Sequence, residues 1–324
     1  MMKLTDIYWH LRPDIIKIEK EIEQNIDAQH DVLQQASSHL LKAGGKRIRP
    51  VFVLLAAQFG DYDIDKVKHV AVPLELIHMA SLVHDDVIDD AELRRGKKTI
   101  KSKWDNRIAM YTGDYMFAKA IEIATYSNRL DLHKYLSEAM VEMCIGEVEQ
   151  IRDQYNWQQN LRIYFRRIRR KTALLISVSC QLGAIVADAS PLYQIQLKKY
   201  GYYVGMAFQI TDDILDFVGT EKELGKPAGG DLAQGNVTLP ALLAMEKDQE
   251  LNKRIVTYLK TESRIPFNMK ATIEEIKATG AIQEAKKVAD KYIDKALLAL
   301  EPLPELRAKA ALQQIADYIS ERKF

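Results

Sequence analysis

The chain of 324 residues is predicted to be all-α, a single large helical domain, and two observations carry that expectation. Glycine and proline are scarce, 15 and 9 residues, well under the roughly 12% of an average protein. Apolar residues recur at spacings of three and four rather than alternating, as helix faces require. Ile15, Ile18, Ile22 and Ile26 form one such face, Val141, Ile145 and Val148 a second, and Leu174, Val178, Leu182 and Ile185 a third. Breaks fall near Gly44–Gly45, 60–65, Arg95–Gly96, 128–131, 188–191, 219–240 and 263–268, which leaves roughly ten to thirteen helices. No low-complexity linker divides the chain, so residues 1–324 read as one domain, with a helical segment over 1–30 that carries no motif. The irregular stretch from Glu221 to Pro240 is long enough to act as a lid.

Composition excludes several classes of function. Lys and Arg number 46 against 45 Asp and Glu, and a net charge of +1 offers no general attraction to nucleic acid or to an anionic membrane. The basic run Arg166, Arg167, Arg169, Arg170, Lys171 therefore reads as a solvated face, with only Lys171 kept as a site residue. The two cysteines, Cys144 and Cys180, lie in apolar helical stretches and read as reduced core residues. The opening MMKLTDIYWHLRPDIIKIEKEIEQ has no signal-peptide pattern, and no run of 18 apolar residues occurs, so a cytoplasmic protein without a transmembrane segment is expected.

Chemistry is concentrated in two carboxylate clusters of identical spacing. In SLVHDDVIDD, Asp85 and Asp89 are one helical turn apart with Asp86 beside them; in QITDDILDF, Asp212, Asp213 and Asp216 repeat the pattern. Like charges at that spacing repel, and both sets follow apolar runs, so a cation is expected to neutralise each. A set made only of carboxylate oxygens suits Mg²⁺, which retains positions for water and phosphate oxygens. One such cluster alone would be a weak signal; two in matching contexts point to a metal–diphosphate enzyme. Cations suited to diphosphate accompany them: Lys46, Arg47 and Arg49 after Gly44–Gly45, Arg94 and Arg95 after the first cluster, Lys171 beside Thr172, and Lys226 in GKPAGGD. His78 lies two turns before Asp85 and could reach phosphate, while His84 is placed to orient a carboxylate.

With GGKRIRP, ELIHMASLVHDDVIDDAELRRG, YTGDYMFA, IRRKTALL, FQITDDILDF, GKPAGGDLAQGNVTLP and IADYISERKF in family order, the chain resembles the trans-isoprenyl diphosphate synthases. The resemblance is strongest to the catalytic large subunits, component II, of bacterial heptaprenyl diphosphate synthases. It implies the isoprenoid synthase type I fold around a central cavity, normally dimeric. It also implies Mg²⁺-dependent head-to-tail condensation of an allylic diphosphate, expected to be farnesyl diphosphate, with successive isopentenyl diphosphates. The expected product is all-trans heptaprenyl diphosphate for a quinone side chain such as that of menaquinone.

By the resemblance, Asp85, Asp86, Asp89, Asp212, Asp213 and Asp216 hold three Mg²⁺ ions, and Lys46, Arg49, His78 and Arg95 bind isopentenyl diphosphate. Arg94, Lys171 and Lys226 meet the allylic diphosphate, with Thr172 and Gln209 near the developing carbocation. Asn236 stands where relatives often carry Lys. Small residues at Ala80 and Ser81, about one turn before the first cluster, predict a product longer than farnesyl or geranylgeranyl, with Ile77 a candidate upper limit. A smaller non-catalytic component I is the expected partner, and peripheral membrane contact could serve product release. The alternatives are a homodimeric hexaprenyl or other long-chain synthase, a class I terpene cyclase, and a non-catalytic subunit. The second cluster DDILD disfavours the cyclase, and two intact aspartate sets disfavour the non-catalytic subunit.

Overall fold

The computed structural model describes residues 4–27, 30–219, 228–261 and 267–322, and helices dominate it. The chain forms two compact units. The first comprises Met1–Met140, Val178–Lys198 and Pro302–Leu312; the second comprises Val141–Ser177, Lys199–Glu301 and Gln313–Phe324.

The first unit is organised around α4 (Ile64–Ile88). Asp63 caps its N-terminus by accepting a hydrogen bond from the Asp65 amide at 2.9 Å. Its first turns carry Asp65, Lys66, Lys68 and His69, but Val67, Val70 to Ile77 and Ala80 are all buried, Glu75 among them, as befits a central helix. Helices α1 (Leu4–Asn25), α3 (Ile48–Ala57) and α6 (Asn106–Ala124) pack on it, and α2 (Asp31–Lys42) packs on α6. Gly113 in α6 allows that approach, because a Cβ there would stand 2.2 Å from the His84 ring. Beyond α4 the chain turns through a short antiparallel hairpin, β1 (Leu93–Arg94) and β2 (Lys97–Lys98). Arg95 and Gly96 supply the two positive φ angles of 54° and 74° that such a turn needs. A four-residue helix, α5 (Ile100–Lys103), follows, too short for periodicity to register.

α7 (Leu130–Asp153) leads on to α8 (Leu161–Ile168), a π-helical turn (Arg169–Ala173), α9 (Leu174–Val186) and α10 (Pro191–Val218). In the second unit, Met206, Ile210, Ile214 and Phe217 of α10 form one stripe of a core completed by Tyr164, Ile168, Leu232 and Val237. The remaining helices α11 (Gly230–Ala233), α12 (Leu239–Lys247), α13 (Gln249–Lys260), α14 (Met269–Ala278) and α15 (Ala281–Leu300) add to it, and α16 (Arg307–Ser320) ends the described chain.

Three expectations change. Cys180 is buried but Cys144 is exposed. The face Val141, Ile145, Val148 is not core: these side chains are exposed on α7, Val148 at 67%, with Ile151 continuing the stripe. The segment expected to be a lid is anchored over residues 228–240. There Leu232, Val237 and Leu239 are buried, and the Gly229 amide donates to the Asp216 carbonyl at 2.7 Å. Residues 220–227 lie outside the described part.

Candidate active site

Both aspartate clusters lie at the C-terminal ends of long helices, where the backbone dipole already presents negative charge. Asp85 and Asp86 occupy the last turn of α4 and Asp89 is its C-cap; Asp212, Asp213 and Asp216 occupy the last two turns of α10. Carboxylates there repel one another and the helix end alike, so the placement stores a demand for a cation.

In the first unit that demand is met by arginine. Asp86 is buried, and Arg94 of the hairpin donates to its Oδ1 from Nε and Nη2, both at 2.8 Å. Burial still raises the Asp86 pKa, against the pull of Arg94 and with Asp85 and Asp89 adding repulsion. Close by, the cations read from the sequence converge. Arg49 is held down to about 10 by burial, which Glu75 partly relieves and the nearby Arg95 charge reinforces. His78 is held well below its ordinary value by burial and by Arg49, Arg95, Arg94 and Arg47, and is neutral at pH 7. The Arg49 Nε is buried with no hydrogen-bond acceptor among the described residues. This is a region of surplus positive potential, suited to a dianionic or trianionic group. Lys46 is exposed beside it on the Gly44–Gly45 loop, and Arg95 donates to the Gly44 carbonyl.

Ala80 and Ile77 are fully buried on α4, and the half-buried Ser81 donates its hydroxyl to the His78 carbonyl at 2.9 Å. His84 turns toward α6 rather than toward the aspartates. Its ring lies against Phe117, with Nε2 3.2 Å from the Met110 carbonyl and 3.4 Å from Asp114.

In the second unit the compensation is mostly neutral. Asp213 is buried; its Oδ2 accepts from the Tyr164 hydroxyl at 2.7 Å and its Oδ1 from the Gln209 amide at 2.8 Å. Gln209 in turn accepts from the Thr172 hydroxyl at 2.6 Å. Burial, with Asp231 adding repulsion, pushes Asp213 up to about 7. Asp212 pairs with Arg322 at 2.6 Å, and Asp216 accepts from the Asp231 amide at 3.1 Å.

Thr172 and Lys171 sit in the π-helical turn, a feature often found at functional positions. Gly205 of α10 permits its close approach, since a Cβ there would lie 2.5 Å from the Ala173 Cα. Lys171 donates to Gln150 at 2.8 Å, so it stands outside the Thr172–Gln209–Asp213 chain. Lys226 lies outside the described residues.

The arginines of the basic run are engaged: Arg166, Arg169 and Arg170 with Glu142 and Glu149, and Arg167 with the Val237 carbonyl. Sequence reasoning missed Tyr164 and Arg322, which reach the second cluster from distant positions, and Glu75, which reaches Arg47 in the first unit. Only Glu75 gave a hint, as a lone charge inside an apolar helical run.

The chain matches polyprenyl synthetase over residues 30–276. It belongs to the polyprenyl synthetase family. Along its whole length it is 57% identical to heptaprenyl diphosphate synthase component 2 of Bacillus subtilis (strain 168), covering 92% of that protein. A crystal structure of heptaprenyl diphosphate synthase from Staphylococcus aureus superposes with a TM-score of 0.89 at 42% identity, over 96% of this chain and 98% of that one. Polyprenyl synthase from Caulobacter crescentus CB15, complexed with calcium and isoprenyl diphosphate, gives a TM-score of 0.93 at 30% identity, over 99% and 98% of the two chains. Family membership makes this chain a trans-prenyltransferase.

The family's use of Mg²⁺ fits the residues present. All donors are carboxylate oxygens, and two of them, Asp86 and Asp213, are buried with raised pKa values that a divalent ion would reverse. Among the described residues no group of three His, Cys, Asp or Glu side chains is placed to hold a metal ion by itself.

Proposed function

We propose that this chain is the catalytic subunit of a heptaprenyl diphosphate synthase, extending farnesyl diphosphate with successive isopentenyl diphosphates. The observation that carries the reading is the surplus of positive potential around Arg49, Arg95 and neutral His78 in the unit that holds the first carboxylate cluster. One substrate anion is thereby bound without metal and the other through it. Bound Mg²⁺, three ions with both substrates in place, would offset charge on the departing diphosphate.

The protein's own groups do the rest. Lys46, Arg49, His78 and Arg95 grip the diphosphate of isopentenyl diphosphate, and neutral His78 donates a hydrogen bond without adding charge. Arg94, which holds Asp86, would be free to meet the allylic diphosphate if a metal ion neutralised that carboxylate, alongside Lys171 and Lys226. Thr172 and Gln209 present oxygen dipoles to the growing allylic cation. Ala80, Ser81 and Ile77 on α4 limit the chain, so Ala80→Phe or Ser81→Phe shortens the product.

The relative's name, component 2, and the uncovered apolar stripe Val141, Ile145, Val148, Ile151 support a companion subunit on that face of α7. The test incubates the chain with farnesyl diphosphate, labelled isopentenyl diphosphate and Mg²⁺, with and without the smaller subunit, and sizes the product. Heptaprenyl diphosphate only with the companion is the expected result. A hexaprenyl or longer product from the chain alone would establish the homodimeric long-chain reading, and no elongation by folded protein in either case would overturn the assignment.

A further inference from the structure

α1 carries no motif, and the family match begins only at residue 30, yet it is firmly seated in the first unit. Ile7, Leu11, Ile18 and Ile22 are buried along one stripe, and Tyr62 donates to Asp14 at 2.6 Å. Tyr8 and Glu19 are eleven residues apart, three helical turns, and so share a side of α1. Both reach the loop that holds the isopentenyl-diphosphate cations. The Tyr8 hydroxyl donates to the Lys46 carbonyl at 2.6 Å, and the Arg47 Nε donates to Glu19 at 3.0 Å.

Arg47 itself is the hinge of that loop. Its φ is 46°, a left-handed conformation costly for a non-glycine residue, and it caps α3 without a side-chain hydrogen bond to the helix. The conformation is held by the side chain, which is buried at 7% exposure and makes three contacts. Nε meets Glu19, Nη1 meets Glu75 at 3.2 Å, and Nη2 meets the Leu41 carbonyl at 3.3 Å. Lys46 immediately precedes this kink and Arg49 follows it by two residues, so the kink sets the directions of both.

We infer that α1 is a brace for the isopentenyl-diphosphate loop, with Tyr8 and Glu19 as positioning residues that hold the Lys46–Arg47 backbone in its binding shape. The inference rests on the assignment of Lys46 and Arg49 to isopentenyl diphosphate given above. Positioning and charge make opposite predictions for Glu19. Removing its charge alone raises the positive potential and favours an anion, whereas removing its acceptor frees Arg47 and disorders the loop.

The experiment compares Tyr8→Phe, Glu19→Ala, Glu19→Gln and, as a reference, Arg49→Ala. It uses full-length protein, combined with the companion subunit where turnover requires it. KM is measured for each substrate, and labelled isopentenyl diphosphate binding to the chain is measured by equilibrium dialysis. Tyr8→Phe and Glu19→Ala are expected to raise KM and Kd for isopentenyl diphosphate roughly 3- to 10-fold, with kcat and the allylic KM within about twofold. Glu19→Gln, which keeps an acceptor for Arg47, should restore near-parental values.

Tighter binding in both Glu19 variants would replace the brace with a purely electrostatic effect and overturn it. A lowered melting temperature with unchanged KM in Tyr8→Phe and Glu19→Ala would reduce α1 to a structural helix and also overturn it. If Arg49→Ala leaves KM for isopentenyl diphosphate unchanged, the site assignment itself fails. If Arg49→Ala raises it and the α1 variants do not, only the brace fails.

Discussion

The C-terminal end of α4 and that of α10 carry the same aspartate spacing but solve the same electrostatic problem differently. At α4 the buried Asp86 is met by a full positive charge from Arg94, and further arginines stand near. At α10 the buried Asp213 is met by a phenol and an amide, while the charged partner, Arg322, goes to the half-exposed Asp212. A hydrogen bond from a neutral donor favours the carboxylate only modestly, so burial wins at Asp213 and its proton is held up to about 7. At Asp86 the Arg94 charge offsets part of the burial cost, although burial still raises the pKa. At Asp213 no arginine makes that direct contact, and the pKa rises further.

The comparison is broken most severely by removing ligands. Asp85→Ala and Asp212→Ala should each lower turnover at least ~100-fold with helicity intact by circular dichroism, if, as proposed, both clusters offset charge in the same ionisation step. Asp213→Asn should cost a similar factor in turnover and yet stabilise the metal-free protein. In chelator above pH 7, folding must keep ionised a group held at about 7, against ~3.9 in the unfolded chain, a penalty of roughly 4 kcal/mol.

The sign follows from proton counts. Between those two values the folded state binds more protons than the unfolded state, so this group's contribution falls as pH rises and is fully unfavourable above 7. Thermal melts in chelator at pH 5 and pH 8 should show the parent losing stability relative to Asp213→Asn. Equal melting temperatures at both pH values would mean that the site is solvated and the contrast with α4 is wrong.

Smaller effects sharpen the contrast. Arg94→Gln removes the positive charge that faces Asp86 and should raise the allylic KM about tenfold, measured by initial rates. Tyr164→Phe removes only a neutral donor from Asp213 and should cost turnover less, about 3- to 10-fold, while shifting the Mg²⁺ dependence to higher concentration. Val148→Asp on the exposed α7 stripe should leave the melting temperature within a degree or two but weaken association with the smaller subunit, seen by gel filtration.

Much of this was legible in the chain. Helical class, both aspartate clusters and the cations of the first unit follow from spacing and charge, because each lies within one or two turns of its neighbours. Contacts that close over long stretches of chain were not legible. No periodicity links Tyr164 to Asp213, or Arg322 to Asp212. The stripe at Val141, Ile145 and Val148 shows a different limit. An apolar helix face states that something covers it, not whether the cover is the same polypeptide, and Cys144 beside it was misread as core for that reason. Length alone marked the stretch from Glu221 to Pro240 as a lid, and length does not reveal that Gly229 and Asp231 give their amides to Asp216.

The π-helical turn at Arg169–Ala173 has a consequence for how the second unit tolerates change. One extra residue in the winding shifts everything after it by about 100° around the axis. Arginines up to Arg170 can then be matched to the glutamates of α7 while Thr172 is matched to Gln209 of α10, and the two alignments need not share a common phase. Deleting a single residue there would realign one partner only by misaligning the other. The turn behaves as a phase shifter between a scaffold contact and a chemical one, and Gly205 marks where its bulge has to be accommodated.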